Sequence, residues 1–204
     1  MSRTRTLLQV LPDIPPAASG LGWVVEGVAT AMRARGWRVE QVTATDLWPG
    51  GRGRTYLAVP FGLAHRAHRA AQRLSRDGPC LVECHGFWGG LATANLRARR
   101  IPNVVTLFRC HGFWRAAVAL AAADDGGGAP PSALRTFKSE LTYGSMERLG
   151  VRLSDAVVVQ NSSDARFAEL VDGVPPSRLR VLAPGIAVPS PQRFEPGGET
   201  VRVL

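Results

Sequence analysis

The sequence predicts an α/β fold: a doubly wound, mostly parallel sheet with helices on both faces. Three observations carry that expectation. Apolar runs of strand length alternate with stretches of helical periodicity along most of the chain. The first run, the helix after it and the second run read as a βαβ unit, which requires a parallel pair. Finally, 45% of the 204 residues are hydrophobic, enough to fill the core of such a sheet and to exclude a disordered or collagen-like chain.

Taken in order, residues 6–11 form a compact apolar run, and the Pro, Ala, Ser and Gly residues of 12–22 break it into a loop. Val24, Val25, Val28, Ala29 and Met32 then recur at helical spacing, and Gly36 supplies a stop behind the basic turn 33–35. Residues 37–42 alternate as a strand. A short apolar run at 56–61 precedes a helix from about 63 to 76, a strand at 80–84, a helix at about 90–99 and a strand at 104–108. A short helix at 116–123 and a Gly, Ala and Pro insertion at 124–131 lead into a long helix at about 132–153. Strand 156–160, helix 163–171 and strand 179–182 complete the set. Beyond them Pro184, Pro189, Pro191 and Pro196 forbid regular structure. The expected organisation is one domain over residues 1–186, an interdomain linker over 187–199, and at 200–204 the opening strand of a second domain that is cut short.

The formal net charge is +9, and Lys138 is the only lysine among 25 basic residues. Such an excess either attracts phosphates or reflects an Arg-, Ala- and Gly-rich composition, and it says nothing about fold. On the helix near residue 63, Arg66, Arg69, Arg73 and Arg76 step by three and four into one basic stripe. The plain reading is a solvated face; the functional one is peripheral contact with an anionic membrane surface. No nucleic-acid motif or aromatic platform accompanies the stripe, so no nucleic-acid partner is expected. The three cysteines, Cys80, Cys84 and Cys110, form no C-x-x-C pair, which argues against a disulfide framework and for a reducing cytoplasmic setting. There is no leader-like apolar region near the start, and no stretch approaches the roughly 20 apolar residues of a membrane span.

In a doubly wound sheet, ligands bind beyond the carboxyl ends of the strands, so the residues closing each strand are the candidates. After the first strand, Ala18-Ser19-Gly20-Leu21-Gly22 opens a helix whose amides can approach a phosphate or sugar. It is not the dinucleotide fingerprint, because Val25 stands where a third glycine or alanine belongs. A pentapeptide occurs twice at strand ends, Cys84-His85-Gly86-Phe87-Trp88 and Cys110-His111-Gly112-Phe113-Trp114, which sends two imidazoles to one rim. Imidazole near neutral pH suits a sugar hydroxyl or a phosphoryl leaving group. For Trp88 and Trp114, packing is the plainer role. Neighbouring Cys and His on a strand point to opposite faces, so no metal site is expected, and no third group marks a cysteine nucleophile.

In order and spacing, these motifs resemble the N-terminal domain of glycosyltransferase family 4. The resemblance runs through the Gly20 to Gly22 loop, Ala34-Arg35-Gly36-Trp37, His85-Gly86-Phe87-Trp88-Gly89-Gly90 and Val105-Thr106-Leu107-Phe108 closed by His111-Gly112. It continues through Met146-Glu147-Arg148-Leu149, Ser154-Asp155-Ala156, Asn161-Ser162, Gly173-Val174-Pro175-Pro176 and Pro184-Gly185-Ile186. The sequence departs from the family in having Ala187 after that Gly-Ile pair, and in placing Arg109 and Cys110 before His111. The resemblance implies a Rossmann-like domain, the N-terminal half of a GT-B fold. It further implies a retaining enzyme that transfers a sugar from a nucleotide-sugar donor to a sugar, lipid-linked or small-molecule acceptor. By the same resemblance His111 contacts the transferring sugar, Gly20 and Gly22 lie near the donor phosphates, and His85 and Trp88 belong to the acceptor side. No cofactor or metal is implied. The nucleotide pocket would sit in a second, C-terminal domain, so this stretch alone is expected to be inactive. A nucleotide-sugar epimerase of the same fold and a non-catalytic Rossmann-like nucleotide-binding protein are the alternatives.

Overall fold

The computed structural model describes residues 4–12, 20–44, 58–113, 115–118, 137–138 and 140–183. Six strands form one sheet in which every pairing is parallel: β1 (Thr6–Leu11), β2 (Arg38–Thr43), β3 (Cys80–His85), β4 (Val104–Arg109), β5 (Ala156–Val159) and β6 (Leu179–Val181). Their order across the sheet is β2-β1-β3-β4-β5-β6. The chain steps from β1 to β2 on one side and then crosses to β3 on the other, so the winding reverses between β1 and β3. In sheets of this kind the reversal opens a crevice at the carboxyl ends of those strands.

The connecting helices are α1 (Gly20–Ala34), α2 (Ala58–Leu74), α3 (Gly90–Arg99), α4 (Ser145–Leu153) and α5 (Ser162–Asp172). Strand alternation decides which residues meet which helices. Leu8, Val10, Val42, Val82, Cys84, Phe108, Val157 and Val159 join Leu63, Ala67 and Leu74 of α2, Leu96 of α3, Val151 of α4 and Ala168 of α5 in one continuous core. The opposite parity of β1, Leu7, Gln9 and Leu11, faces α1, whose Val25 and Ala29 are buried. Helices therefore lie on both faces. On the larger core side, α3 and α4 approach so closely that a Cβ on Gly90 would lie 1.8 Å from the Met146 carbonyl oxygen.

Most of the expected elements are present with shifted ends. α2 starts at Ala58 and not near residue 63, because residues 58–61 of the apolar run form its first turn. Pro60 is tolerated there, since the first-turn N–H groups have no intrahelical partner. The long helix expected over 132–153 enters α4 through a π-helical turn, Glu140–Gly144. Both β3 and β4 run one residue further than expected, ending at His85 and Arg109. The insertion 124–131, the linker 187–199, the strand at 200–204 and Trp114 lie outside the described residues. No helix among the described residues is long and apolar enough to cross a membrane.

Candidate active site

Each helix follows its strand at the sheet's carboxyl edge, so the segments after β1, β3, β4 and β5 converge there. Gly86 (φ +56°) and Gly112 (φ +110°) take backbone angles that side chains disfavour, which lets the chain turn off immediately after β3 and β4. The edge is also tied together. Gly86 N–H donates to the Arg109 carbonyl at 2.9 Å, and Cys110 N–H donates to the Val158 carbonyl at 2.8 Å.

His85 closes β3, and His111 stands two residues beyond the end of β4. Their rings are near-parallel, with centroids 5.2 Å apart and 11° between planes. Nδ1 of His85 lies 2.9 Å from Nε2 of His111, and Nδ1 of His111 lies 3.0 Å from Nε2 of Gln160, the residue after β5. The duplicated pentapeptide thus brings its two imidazoles into direct contact.

Behind them a polar layer crosses four strands. Gln41 Nε2 donates to Gln9 Oε1 at 3.1 Å, and Gln9 Nε2 donates to Glu83 Oε2 at 2.9 Å. From the other side, Arg109 Nε donates to Glu83 Oε1 at 2.5 Å. His85 Nε2 lies 3.2 Å from Glu83 Oε2, close but outside hydrogen-bond geometry. The strand register makes this inevitable, because Gln41, Gln9 and Glu83 are directly paired across β2, β1 and β3, and Arg109 is paired with His85. Glu83 is only 2% exposed, His85 1% and Arg109 7%. Burial pushes the Glu83 carboxyl up, but His85, Arg109 and Gln9 outweigh it and hold the acid well below the usual carboxylate range. Burial first, with the Arg109 guanidinium nearby, pulls His111 down to about 3, so its imidazole is neutral at physiological pH.

The remaining candidates divide. Gly20 and Gly22 occupy the first turn of α1, on the same edge and on the face of the sheet that carries Gln9; residues 13–19 of their loop lie outside the described residues. His85, expected on the acceptor side, is buried, with one ring nitrogen against His111 and the other toward Glu83, so in this conformation it meets a ligand only through His111. Trp88 is half-buried in an aromatic cluster with Phe87 (centroids 4.8 Å apart) and Tyr143 of the π turn (6.2 Å). It packs against the main core. Cys84 and Cys110 face that core too, opposite the histidines, and burial pushes the Cys84 thiol up to about 12. Among the described residues, no three His, Cys, Asp or Glu side chains gather as metal ligands.

Because α2 starts at the carboxyl edge and returns the chain to the amino edge, its arginine stripe leads away from the histidines. It lines an open groove of 740 Å³ with Glu40 and His65, where Arg73 pairs with Glu40 at 2.6 Å. On the other flank of the site, the segment after His111 is pinned by a buried charge cluster. Arg115 binds both carboxylate oxygens of Asp172 on α5 and reaches Glu147 on α4 at 3.4 Å.

The chain matches the family profile described as glycosyl transferase 4-like domain over residues 19–185. It belongs to that family. No curated protein matches it in sequence. Its matched span holds every residue of the histidine site except Gln9: Gln41, Glu83, His85, Arg109, His111 and Gln160 all fall within it. For a glycosyl transferase 4-like domain, the arrangement offers a neutral imidazole at the carboxyl edge of the sheet, braced by buried charges, with the N-terminus of α1, which favours anions, on the same edge. Sequence reasoning missed the brace, whose signal is a polar residue at the centre of an apolar strand on the parity of the histidine: Gln9 within Leu8 to Val10, and Glu83 within Val82 to Cys84.

Proposed function

We propose that this domain serves a retaining glycosyltransferase that moves a sugar from a nucleotide-activated donor to an acceptor hydroxyl. The single observation that supports it most is His111 in a glycosyl transferase 4-like chain: neutral, partly exposed at the carboxyl edge and held from behind. In this reading His111 meets a hydroxyl of the transferring sugar, since a neutral imidazole suits a hydroxyl better than a phosphate. The first turn of α1, with Gly20 and Gly22, lies along the donor diphosphate, where backbone amides and the helix dipole stabilise the charge that grows as the anomeric C–O bond breaks. The acceptor oxygen forms the new bond, and its proton passes to the departing diphosphate oxygen. Trp88 borders the acceptor, and His85 supports His111. The nucleotide is held by a second wall that faces this edge, and closure of the two excludes water.

The test, on this domain joined to the second wall that holds the nucleotide, is an assay of nucleoside diphosphate release and product formation over a panel of nucleotide sugars, with the product anomer read by NMR. Transfer with retention, reduced about 100-fold or more in kcat/KM by His111→Ala, is the expected outcome. Inversion at the anomeric carbon, epimerisation without transfer, or a fully active His111→Ala enzyme would defeat the reading. The 204-residue chain alone is expected to give no turnover, and sugar transfer by it would show that one wall suffices.

A further inference from the structure

Both nitrogens of His111 are engaged within the protein, and the engagement has a direction. Glu83 is a carboxylate, which only accepts hydrogen bonds. Its Oε1 takes Arg109 Nε, and its Oε2 takes Gln9 Nε2 with His85 Nε2 3.2 Å away. A bare lone pair on His85 Nε2 would face that oxygen repulsively, so this nitrogen carries the proton. A neutral imidazole has one N–H, which leaves His85 Nδ1 as an acceptor. Its neighbour at 2.9 Å, His111 Nε2, must then donate. That in turn leaves the lone pair of His111 on Nδ1, where the Gln160 amide nitrogen stands 3.0 Å away as the donor.

We propose that Glu83 is the positioning residue of this site: through His85 it holds His111 in the single neutral Nε2–H tautomer, with the Nδ1 lone pair turned toward Gln160. Arg109 and Gln9 keep Glu83 ionised and in place; Gln160 fills the donor position opposite Nδ1 that a ligand hydroxyl would take on displacing it. The opposite direction would need His85 as an imidazolium, a second cation on the one carboxylate that Arg109 already neutralises. The proposal rests on the transferase reading for its purpose alone, because the tautomers are observable without any substrate.

The chain holds only four histidines, His65, His68, His85 and His111, so long-range proton–nitrogen NMR on the histidine-labelled 204-residue protein resolves each ring. Between pH 6 and 8, His85 and His111 are both expected to show a protonated Nε2 and an unprotonated Nδ1. An imidazolium pattern at His85, or a proton on Nδ1 of His111, overturns the proposal. Glu83→Gln, whose amide both donates and accepts, is expected to give mixed tautomers at both rings; an unchanged spectrum removes Glu83 from the role. Because Glu83 is buried, Gln160→Glu interrogates the same relay from the solvent side. With carboxylates pulling at both ends, His111 should hold both protons and become an imidazolium. A neutral Nδ1–H tautomer there would instead show that the relay simply follows its nearest acid, and that Glu83 sets nothing. Loss or survival of sugar transfer in these variants bears on the function and leaves the tautomer result unaffected.

Discussion

Arg109 illustrates how one side chain carries a site it does not line. It closes the β4 end of a buried layer and neutralises Glu83, so removing it strands a carboxylate in the interior. Losing one partner of a buried pair costs about 3 to 5 kcal/mol, whereas replacing both with apolar groups of similar volume is often near neutral. Arg109→Met is therefore expected to lower the unfolding free energy by about 3 kcal/mol or more, and the double variant Glu83→Leu with Arg109→Met to regain most of it. Denaturant titration of the native protein, Arg109→Met, Glu83→Leu and the double variant checks this; additive losses would mean the two side chains act independently. The cysteines make the contrasting case. Cys84 and Cys110 adjoin the histidines in sequence, yet they face the α2–α3 side, where burial keeps the thiols protonated. In the folded protein they should resist alkylation at pH 8, and rapid labelling without denaturant would contradict their burial.

At the scale of elements, the site depends on how tightly the helices seat on the sheet. The Gly86 turn leads through a single 3₁₀ turn, Phe87–Gly89, into α3, and α3 meets α4 backbone to backbone at Gly90. A methyl group there must push the Met146 carbonyl aside, since backbone cannot swing away as a side chain does. Gly90→Ala is expected to cost about 1 to 3 kcal/mol, the usual range for overpacking. Gly20→Ala, with nothing within 4 Å of the new Cβ, should be neutral for stability. Comparing the two melting curves isolates packing from the general effect of replacing glycine. α5 is set by local signals instead: Asn161 Oδ1 accepts from Asp164 N–H at 2.8 Å at its start, and Gly173 (φ +67°) ends it. Such caps depend on neighbours within four residues, which is why this helix was legible in the sequence to within a residue at each end. The start of α2 was not, because an apolar first turn has the same composition as a short strand.

Across the whole molecule, the buried layer makes stability depend on pH. In the unfolded chain His111 titrates near 6.5, but in the folded chain near 3. Below pH 6.5 the unfolded state thus binds a proton that the folded state refuses, so this contribution is complete above that pH and drains away as pH falls toward 3. By pH 5 the loss amounts to about 2 kcal/mol. Glu83, whose folded pKa lies below its ordinary 4.5, adds a second loss below that value with the same sign. Urea midpoints at pH 7.5 and 5 should therefore differ in the native protein and differ less in His111→Asn; equal slopes would remove His111 as the source. The sequence by itself determined the alternating order of strands and helices, the parallel sheet, and the rim to which two histidines and a glycine turn are sent. Those features follow from periodicity and from local turn chemistry, which act between residues close along the chain. Only the tertiary structure decided that the histidines touch, that His85 is buried, and that Gln9, Glu83 and Arg109 stand behind them. Which residues of separate strands become neighbours is set by sheet order and register, and these arise from packing the whole chain at once.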